Sequence, residues 1–368
     1  MTDVTQKFRK MTDIEHVRAR PATYAGSKVP HTKATWLIQG GEVVVREVTY
    51  IPLFLKMFDE VISNCVDHSK RKEGAHLNSI SVTINQMLGT VAVQDNGGIP
   101  VVQHPEYDNV WIPDMIFGEL RTGSNYDDTE ERTGTGMNGL GAKLTNVFSS
   151  FFRVDTADGK KKFSRTYTEG NTERSDVKVS KANADHKGTV ITYTPDWEYL
   201  GLEGMDDDSY DVLVRRVYEV AACNPNIKVT LNGEKIDFDS FHDFIDMFDK
   251  DNSFMETERW RVGLALSEDG FKHTSFVNST ATYVGGTHVE YVADKIVEQI
   301  RDHVEKKTKQ KVKPSDIKAH FNAAQLAGLQ VNGHLVPARL YGFGQMHRDL
   351  LAHRHMRAGA VKLDVVQM

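Results

Sequence analysis

Four glycines, Gly134, Gly136, Gly139 and Gly141, fall within eight residues, and Lys143 follows closely. Glycines let backbone N–H groups turn toward one point and let a bulky anion approach. A helix starting near Ala142 would aim the positive end of its dipole at that anion. The segment therefore reads as a phosphate cradle, with Gly136, Asn138, Gly139, Leu140, Gly141, Ala142 and Lys143 as candidate contacts. It is not a P-loop, which needs Gly-Lys followed by Ser or Thr. Here Ala142 precedes Lys143 and Leu144 follows it.

Two further groups of residues suit the same chemistry. Glu60, Asn64 and Asp67 lie at i, i+4 and i+7, one stripe of a helix. Glu60 could accept a proton from an attacking water. Asn64 could offer a neutral oxygen to Mg²⁺, which keeps several waters and binds phosphate oxygens as well. Taken alone, the triplet fits a solvated helix face better. Asp95, followed by Asn96 and Gly97, closes an alternating strand. A buried carboxylate there could accept a hydrogen bond from an exocyclic amine such as that of adenine, and an Asp-Gly turn is the plainer alternative.

The elements that must hold these residues are legible in outline. Residues 52–71 predict an amphipathic helix with Pro52 in its first turn, its apolar stripe running Phe54, Met57, Phe58, Val61, Ile62, Cys65 and Val66. Residues 79–84 and 91–94 alternate as two paired strands. Residues 107–131 predict a mobile loop, and residues 1–50 an arm followed by one short element. Strands are expected at 151–155, 162–167, 174–180 and 188–194, a helix at 208–222 and an Asn-Gly hairpin over 228–236. A second domain is expected to open with strands at 259–266 and 272–277 and a helix at 286–304. Lys306 to Lys313 is a lysine-rich run able to meet DNA phosphates or simply to face solvent.

Composition narrows the class. The chain has 368 residues, 39% of them hydrophobic and 26% charged, with a net charge of −6. No run is long and apolar enough for a membrane span. That net charge does not suggest a protein that coats nucleic acid, and a local basic patch is compatible with it. Two cysteines, without metal-type spacing, suit a reducing compartment. From Ala323 to Met368 there is no Glu, Ser, Thr or Ile, and Asp349 and Asp364 are the only acids. That shift predicts a different module, or sequence read out of frame relative to its ancestor.

In order, the acidic helix, the hairpin ending in Asp-x-Gly and the glycine segment with its lysine resemble the Bergerat-type (GHKL) ATPases. Within them, Ile14 to Ser27, Tyr50 to Asn64, Thr122 to Asp128 and Phe276 to Asp294 resemble the ATPase region of type IIA DNA topoisomerases, closest to the eukaryotic and large-phage forms. The resemblance runs from about residue 10 to about residue 322 and implies an α+β fold. A Bergerat-type α/β sandwich would be followed by a transducer domain of ribosomal-protein-S5-like α/β fold. The implied divisions are an arm at 1–25, an ATP-binding domain at 26–250, a transducer at 251–322 and an atypical tail at 323–368.

The resemblance also implies roles. ATP and Mg²⁺ are the expected ligands. Glu60 maps to the general base, Asn64 to the Mg²⁺ ligand, Asp95 to the adenine-amine acceptor with Asn96 and Gly97 beside it, and Ser124 and Asn125 to sugar and phosphate contacts. Gly136 and Asn138 to Lys143 map to the phosphate-binding lid. The implied partners are double-stranded DNA, a second copy of the chain on ATP binding, and a breakage-reunion domain or subunit. The implied location is the cytoplasm, or the nucleus in a eukaryote, with no membrane contact. Met137 replaces a basic residue of eukaryotic relatives, and His68 replaces an Asn. Asp95-Asn-Gly-Gly-Ile-Pro100 is one residue shorter than the family pattern. No Gln-Thr-Lys follows Asn322, so the lysine that should reach the γ-phosphate from the transducer is missing and hydrolysis is expected to be feeble. An ATP-dependent binding module, or an inactive decoy of a topoisomerase, is the alternative.

Overall fold

In the computed structural model, backbone is described for residues 10–120, 122, 140–257, 260–267 and 270–327, with side chains to His320. The chain divides into two compact units, one ending at Asp237 and the other beginning at Phe238. The mixed α+β class matches expectation.

The first unit opens with α1 (Asp13–Ala19) and α2 (Pro21–Tyr24), followed by a hairpin of β1 (His31–Gln39) and β2 (Glu42–Tyr50). Then come α3 (Pro52–Ser69), β3 (Ser79–Asn85), β4 (Thr90–Asp95), α4 (Ile112–Gly118), α5 (Gly141–Val147), β5 (Ser149–Asp158) and β6 (Lys161–Thr168). The unit closes with β7 (Glu173–Arg174), β8 (Lys178–Lys181), β9 (Lys187–Pro195), α6 (Trp197–Leu200), α7 (Asp207–Cys223), β10 (Lys228–Leu231) and β11 (Glu234–Lys235). The main sheet runs β11-β10-β3-β4-β9-β5-β6-β7, with β8 also on β6. Its pairs are antiparallel except β3 with β10.

Apolar spacing explains α3. Leu53, Phe54, Met57, Phe58, Val61, Ile62, Cys65 and Val66 are all buried, a face wide enough to bind the helix to the sheet. Alternation explains β3 and β4, where Ile80, Val82 and Ile84 face the core opposite Val91 and Val93. Asp95 falls in the same phase as Val91 and Val93, and the fold buries it with them.

Three expectations need correction. Residues 31–50 are a nine-on-nine hairpin, not one short element, and Gly40-Gly41, with φ of 60° and 83°, makes its turn. Only a few of its side chains reach the core, so its alternation is blurred in the sequence. Within 107–131, residues 112–118 form α4, with Pro113 in the first turn. Its Asp114 carboxylate is buried, accepting from Tyr167 Oη at 2.6 Å and paired with Arg165. The strand expected at 174–180 is two short pieces, β7 and β8. Ser175 breaks it by accepting the Thr166 N–H with its hydroxyl at 3.0 Å.

The second unit holds α8 (Phe241–Asp246), β12 (Asn252–Glu256), β13 (Trp260–Leu266), β14 (Lys272–Val277), β15 (Thr280–Ala281), α9 (Thr287–Thr308), α10 (Pro314–Lys318) and β16 (Phe321–Ala327). Its sheet runs β12-β13-β16-β14-β15, with β16 antiparallel to β13 and parallel to β14. The compositional break at Ala323 thus falls inside a central strand. Phe241 and Phe244 stack edge-on with Phe276, which draws residues 238–250 into this unit. Val292, Ala293, Ile296 and Val297 of α9 close its core over Val262 and Leu264. Ile296→Ala removes buried methylenes from that core and is expected to lower the stability of this unit by about 3 kcal/mol. Urea unfolding followed by fluorescence, in a background where Trp36, Trp111 and Trp197 are replaced by Phe so that Trp260 reports alone, checks it.

Candidate functional site

The chemistry gathers along one edge of α3. Glu60 is partly buried, its side chain 22% exposed, and its Oε1 lies 2.5 Å from Lys56 Nζ one turn earlier. The other oxygen faces the start of α5. A Cβ added at Gly141 would stand 2.3 Å from Glu60 Oε2 and 3.8 Å from Asn64 Nδ2. Glu60 and Asn64 therefore flank Gly141, and any side chain there would displace the Glu60 carboxylate. Asp67, the third member of the stripe, is buried rather than solvated.

One turn beyond Asn64, His68 meets the end of β4. A Cβ at Gly97 would lie 2.8 Å from the His68 ring and 3.0 Å from Asp95 Oδ1. Asp95 Oδ1 accepts the Gly97 N–H at 2.7 Å. Burial raises the Asp95 pKa, and the Gly97 N–H and His68 oppose the rise without cancelling it. Burial lowers that of His68, against the pull of Asp95. Burial and the nearby Asp95 charge push the Cys65 thiol well up, so it is an unreactive packing residue. The Asn96 side chain turns to a neighbouring loop. Its Oδ1 accepts the Asn78 and Ser79 N–H groups, both at 3.1 Å, and its Nδ2 donates to Asn78 Oδ1 at 2.9 Å.

Gly98 and Gly188 permit a close backbone approach beside Asp95. Gly98 has φ of 78°, and a Cβ there would fall 2.3 Å from the Ala157 carbonyl. Thr189 is the cross-strand partner of Asp95, buried on the same face, with its hydroxyl 2.9 Å from that of Thr156. Thr189 escaped the sequence reading. Its signal was the alternation Thr189, Ile191, Tyr193, which places a hydroxyl on the core face of β9.

Of the glycine segment, Leu140 to Lys143 lie within the described residues. Ser124, Asn125, Gly136, Asn138 and Gly139 lie outside them. Leu140 precedes α5, Gly141 opens it, and Ala142 is buried. Lys143 is also buried; its Nζ donates to Thr122 Oγ1 at 2.7 Å and to the Thr122 carbonyl. Burial pulls its pKa down to about 8, with Glu119 working the other way. Thr122 in turn donates to the Met115 and Glu119 carbonyls at 2.6 and 2.8 Å, so the lysine stitches α5 to the end of α4.

A carboxylate and a side-chain amide of α3 at the start of α5, with the buried carboxylate of Asp95 at the end of β4 beside His68 of the same α3, suit hydrolysis of a nucleoside triphosphate. No cluster of three or more His, Cys, Asp or Glu suited to a metal occurs among the described residues. A divalent ion here would depend on Asn64 and on oxygens of the substrate itself.

Comparison with known proteins agrees. The family model of histidine kinase-, DNA gyrase B- and HSP90-like ATPases matches residues 51–198, and the DNA gyrase B model matches residues 227–324. DNA topoisomerase 2 of Arabidopsis thaliana is 37% identical over 335 residues, covering 86% of this chain and 22% of the relative. That of Penicillium chrysogenum is 38% identical over 344 residues, covering 87% and 21%. The chain thus spans about a fifth of the length of these relatives. The ATPase region of Saccharomyces cerevisiae topoisomerase II superposes with a TM-score of 0.82 at 32% identity, covering 88% of this chain and 87% of that one. The ATPase and transducer domains of Balamuthia mandrillaris DNA topoisomerase II give 0.85 at 30%, covering 96% and 99%. With an ATPase-type unit, a gyrase B-type unit and the acidic helix against the glycine segment, the chain belongs to the ATPase region of the type II DNA topoisomerase family.

Proposed function

We propose that ATP lies against α3 and the start of α5 and that its hydrolysis drives a dimerisation gate for DNA strand passage. DNA cleavage would be supplied by another region or chain. The observation that carries the site is the meeting at Gly141, where Glu60 Oε2 and Asn64 Nδ2 border the first residue of α5. There Glu60 takes the proton of the attacking water as its oxygen bonds to the γ-phosphorus and the bond to ADP breaks. Asn64 would hold Mg²⁺ through its neutral oxygen, and the ion would offset charge on the phosphate oxygens. Asp95 accepts the adenine amine, and Lys143 supports the phosphates from α5. The relatives are named as DNA topoisomerases, which supports DNA as a partner; a second copy of the chain is the partner that the gate itself requires.

Glu60→Gln is expected to bind a non-hydrolysable ATP analogue within about threefold of the parent and to lose turnover by a hundredfold or more, on the order of a full general-base contribution. Undiminished turnover would remove Glu60 from the mechanism. Sedimentation with the same analogue tests the gate. Dimers formed on analogue binding support it. Dimers without ATP turnover in the parent chain point instead to a binding module or decoy.

The raised pKa of Asp95 makes a separate test. The native state holds that proton more tightly than the unfolded chain, so ionised Asp95 opposes folding near neutrality, and the opposition fades as pH falls through the folded pKa. Asp95→Asn is therefore expected to raise the melting temperature at about pH 8, by a margin that narrows on acidification. It is also expected to weaken the analogue, because an amide accepts the adenine amine less well than a carboxylate. A less stable variant with unchanged affinity would contradict both points.

Lys143 gives a pH signature. Its pKa near 8 means that a phosphate contact weakens as pH rises through that value. Analogue affinity is expected to drop roughly tenfold between about pH 7 and about pH 9.5, with no such slope in Lys143→Arg, which cannot deprotonate. Isothermal titration across that range reads both.

A further inference from the structure

Lys56 lies between two carboxylates, 2.5 Å from Glu60 Oε1 and 3.4 Å from Asp59 Oδ2. One ammonium cannot serve both equally. The contest is settled from beneath α3. Arg216 of α7, essentially buried, places its Nε 2.7 Å from Asp59 Oδ1, and the Ser63 hydroxyl donates to the same oxygen at 3.3 Å. Glu219, wholly buried, anchors Arg216 from its far side with Oε2 3.6 Å from Nη1. Arg215 flanks Glu219 at 3.5 Å and donates to Thr35 Oγ1 of the hairpin at 3.0 Å. A continuous line of charges thus runs from the hairpin and α7 to the residue that borders Gly141.

We propose that Arg216 is a positioning residue for ATP hydrolysis: by satisfying Asp59, which otherwise competes for Lys56, Arg216 leaves Lys56 to Glu60 and so holds the Glu60 carboxylate toward Gly141. The inference rests on Glu60 being the proton acceptor. Burial and charge point the same way. For Asp59, burial opposes the charge and Arg216 outranks Lys56 in restoring it. For Lys56, burial again opposes the charge, and Glu60 outranks Asp59 in restoring it. Neither Arg216 nor Asp59 needs to touch the nucleotide.

A purely structural ion pair and a positioning pair make different predictions. In the full chain, Arg216→Gln leaves Asp59 charged without its guanidinium, so Asp59 draws Lys56 away from Glu60. The expected result is about a tenfold loss in kcat, with analogue affinity within about twofold. Adding Asp59→Asn removes the competitor, and the double variant is expected to regain at least half of the lost activation free energy. A double variant no faster than Arg216→Gln would overturn the proposal. If Arg216→Gln is too unstable to assay by thermal melting, the second cycle decides. Lys56→Met is expected to lose about tenfold in kcat, and adding Asp59→Asn to it to change kcat by less than about twofold, because Asp59 acts only through Lys56. A larger change overturns the proposal. Glu60→Gln run in parallel separates the two levels. If it keeps full turnover, the assignment of the base fails. If it loses turnover while the cycles come out additive, only the positioning role fails.

Discussion

The Arg216–Asp59 ion pair fixes α3 against α7 inside the protein, and the rest of the ATPase unit depends on where α3 sits. Charges taken out of water are tolerable only with close, hydrogen-bonded partners. For Asp59 the 2.7 Å contact and the Ser63 hydroxyl meet that condition, while the buried Glu219 faces Arg216 Nη1 at 3.6 Å, an ion pair beyond hydrogen-bond reach. An ion pair of this kind is poor evidence for stability, since an apolar pair of similar volume does as well or better. What it supplies is registry. To the apolar packing of α3, which is not directional, the guanidinium meeting one carboxylate adds a directional contact.

That registry matters because α3 is used on two sides. Its apolar face, Leu53 to Val66, packs into the core, while Lys56, Glu60, Asn64 and His68 follow one another at intervals of one turn along its edge. The repeat of four converts a helix into a ruler. Glu60 and Asn64 meet α5 at Gly141, and His68 meets the end of β4 at Gly97. Both contacts fall on glycine, the residue without a Cβ to block them. Small residues at these two positions let one helix set Glu60 and Asn64 against α5 and His68 against the end of β4, where Asp95 is buried.

Much of this was legible in the sequence wherever a period carried it. The 3.6-residue period gave α3, and the two-residue period of β4 put Asp95 in the core phase with Val91 and Val93. The same period would have given Thr189, whose hydroxyl reads as an ordinary strand residue until Asp95 is placed across from it. The hairpin of β1 and β2 was missed because its strands are only partly buried, so packing leaves little trace in residue choice. The network of Lys56, Asp59, Arg216 and Glu219 was invisible for another reason. It joins α3 to α7 across about 160 residues of chain, and no local pattern encodes which arginine meets which aspartate.

Two histidines close over the end of β4. An imidazole at position 68 is bulkier than an amide and fills the space over Gly97, where a Cβ would meet its ring. His76 adds a second contact to the same turn, its Nε2 2.8 Å from the Gly97 carbonyl. The turn after Asp95 is thus held from two sides by histidine side chains. Burial keeps His68 neutral near physiological pH, despite the pull of Asp95. An imidazolium there would form an ion pair with the Asp95 carboxylate and compete with any amine donor. A neutral ring packs against the turn, where Asp95 Oδ1 accepts the Gly97 N–H. His68 and Gly97 therefore constrain each other: a β-carbon at position 97 would stand 2.8 Å from the ring and displace it.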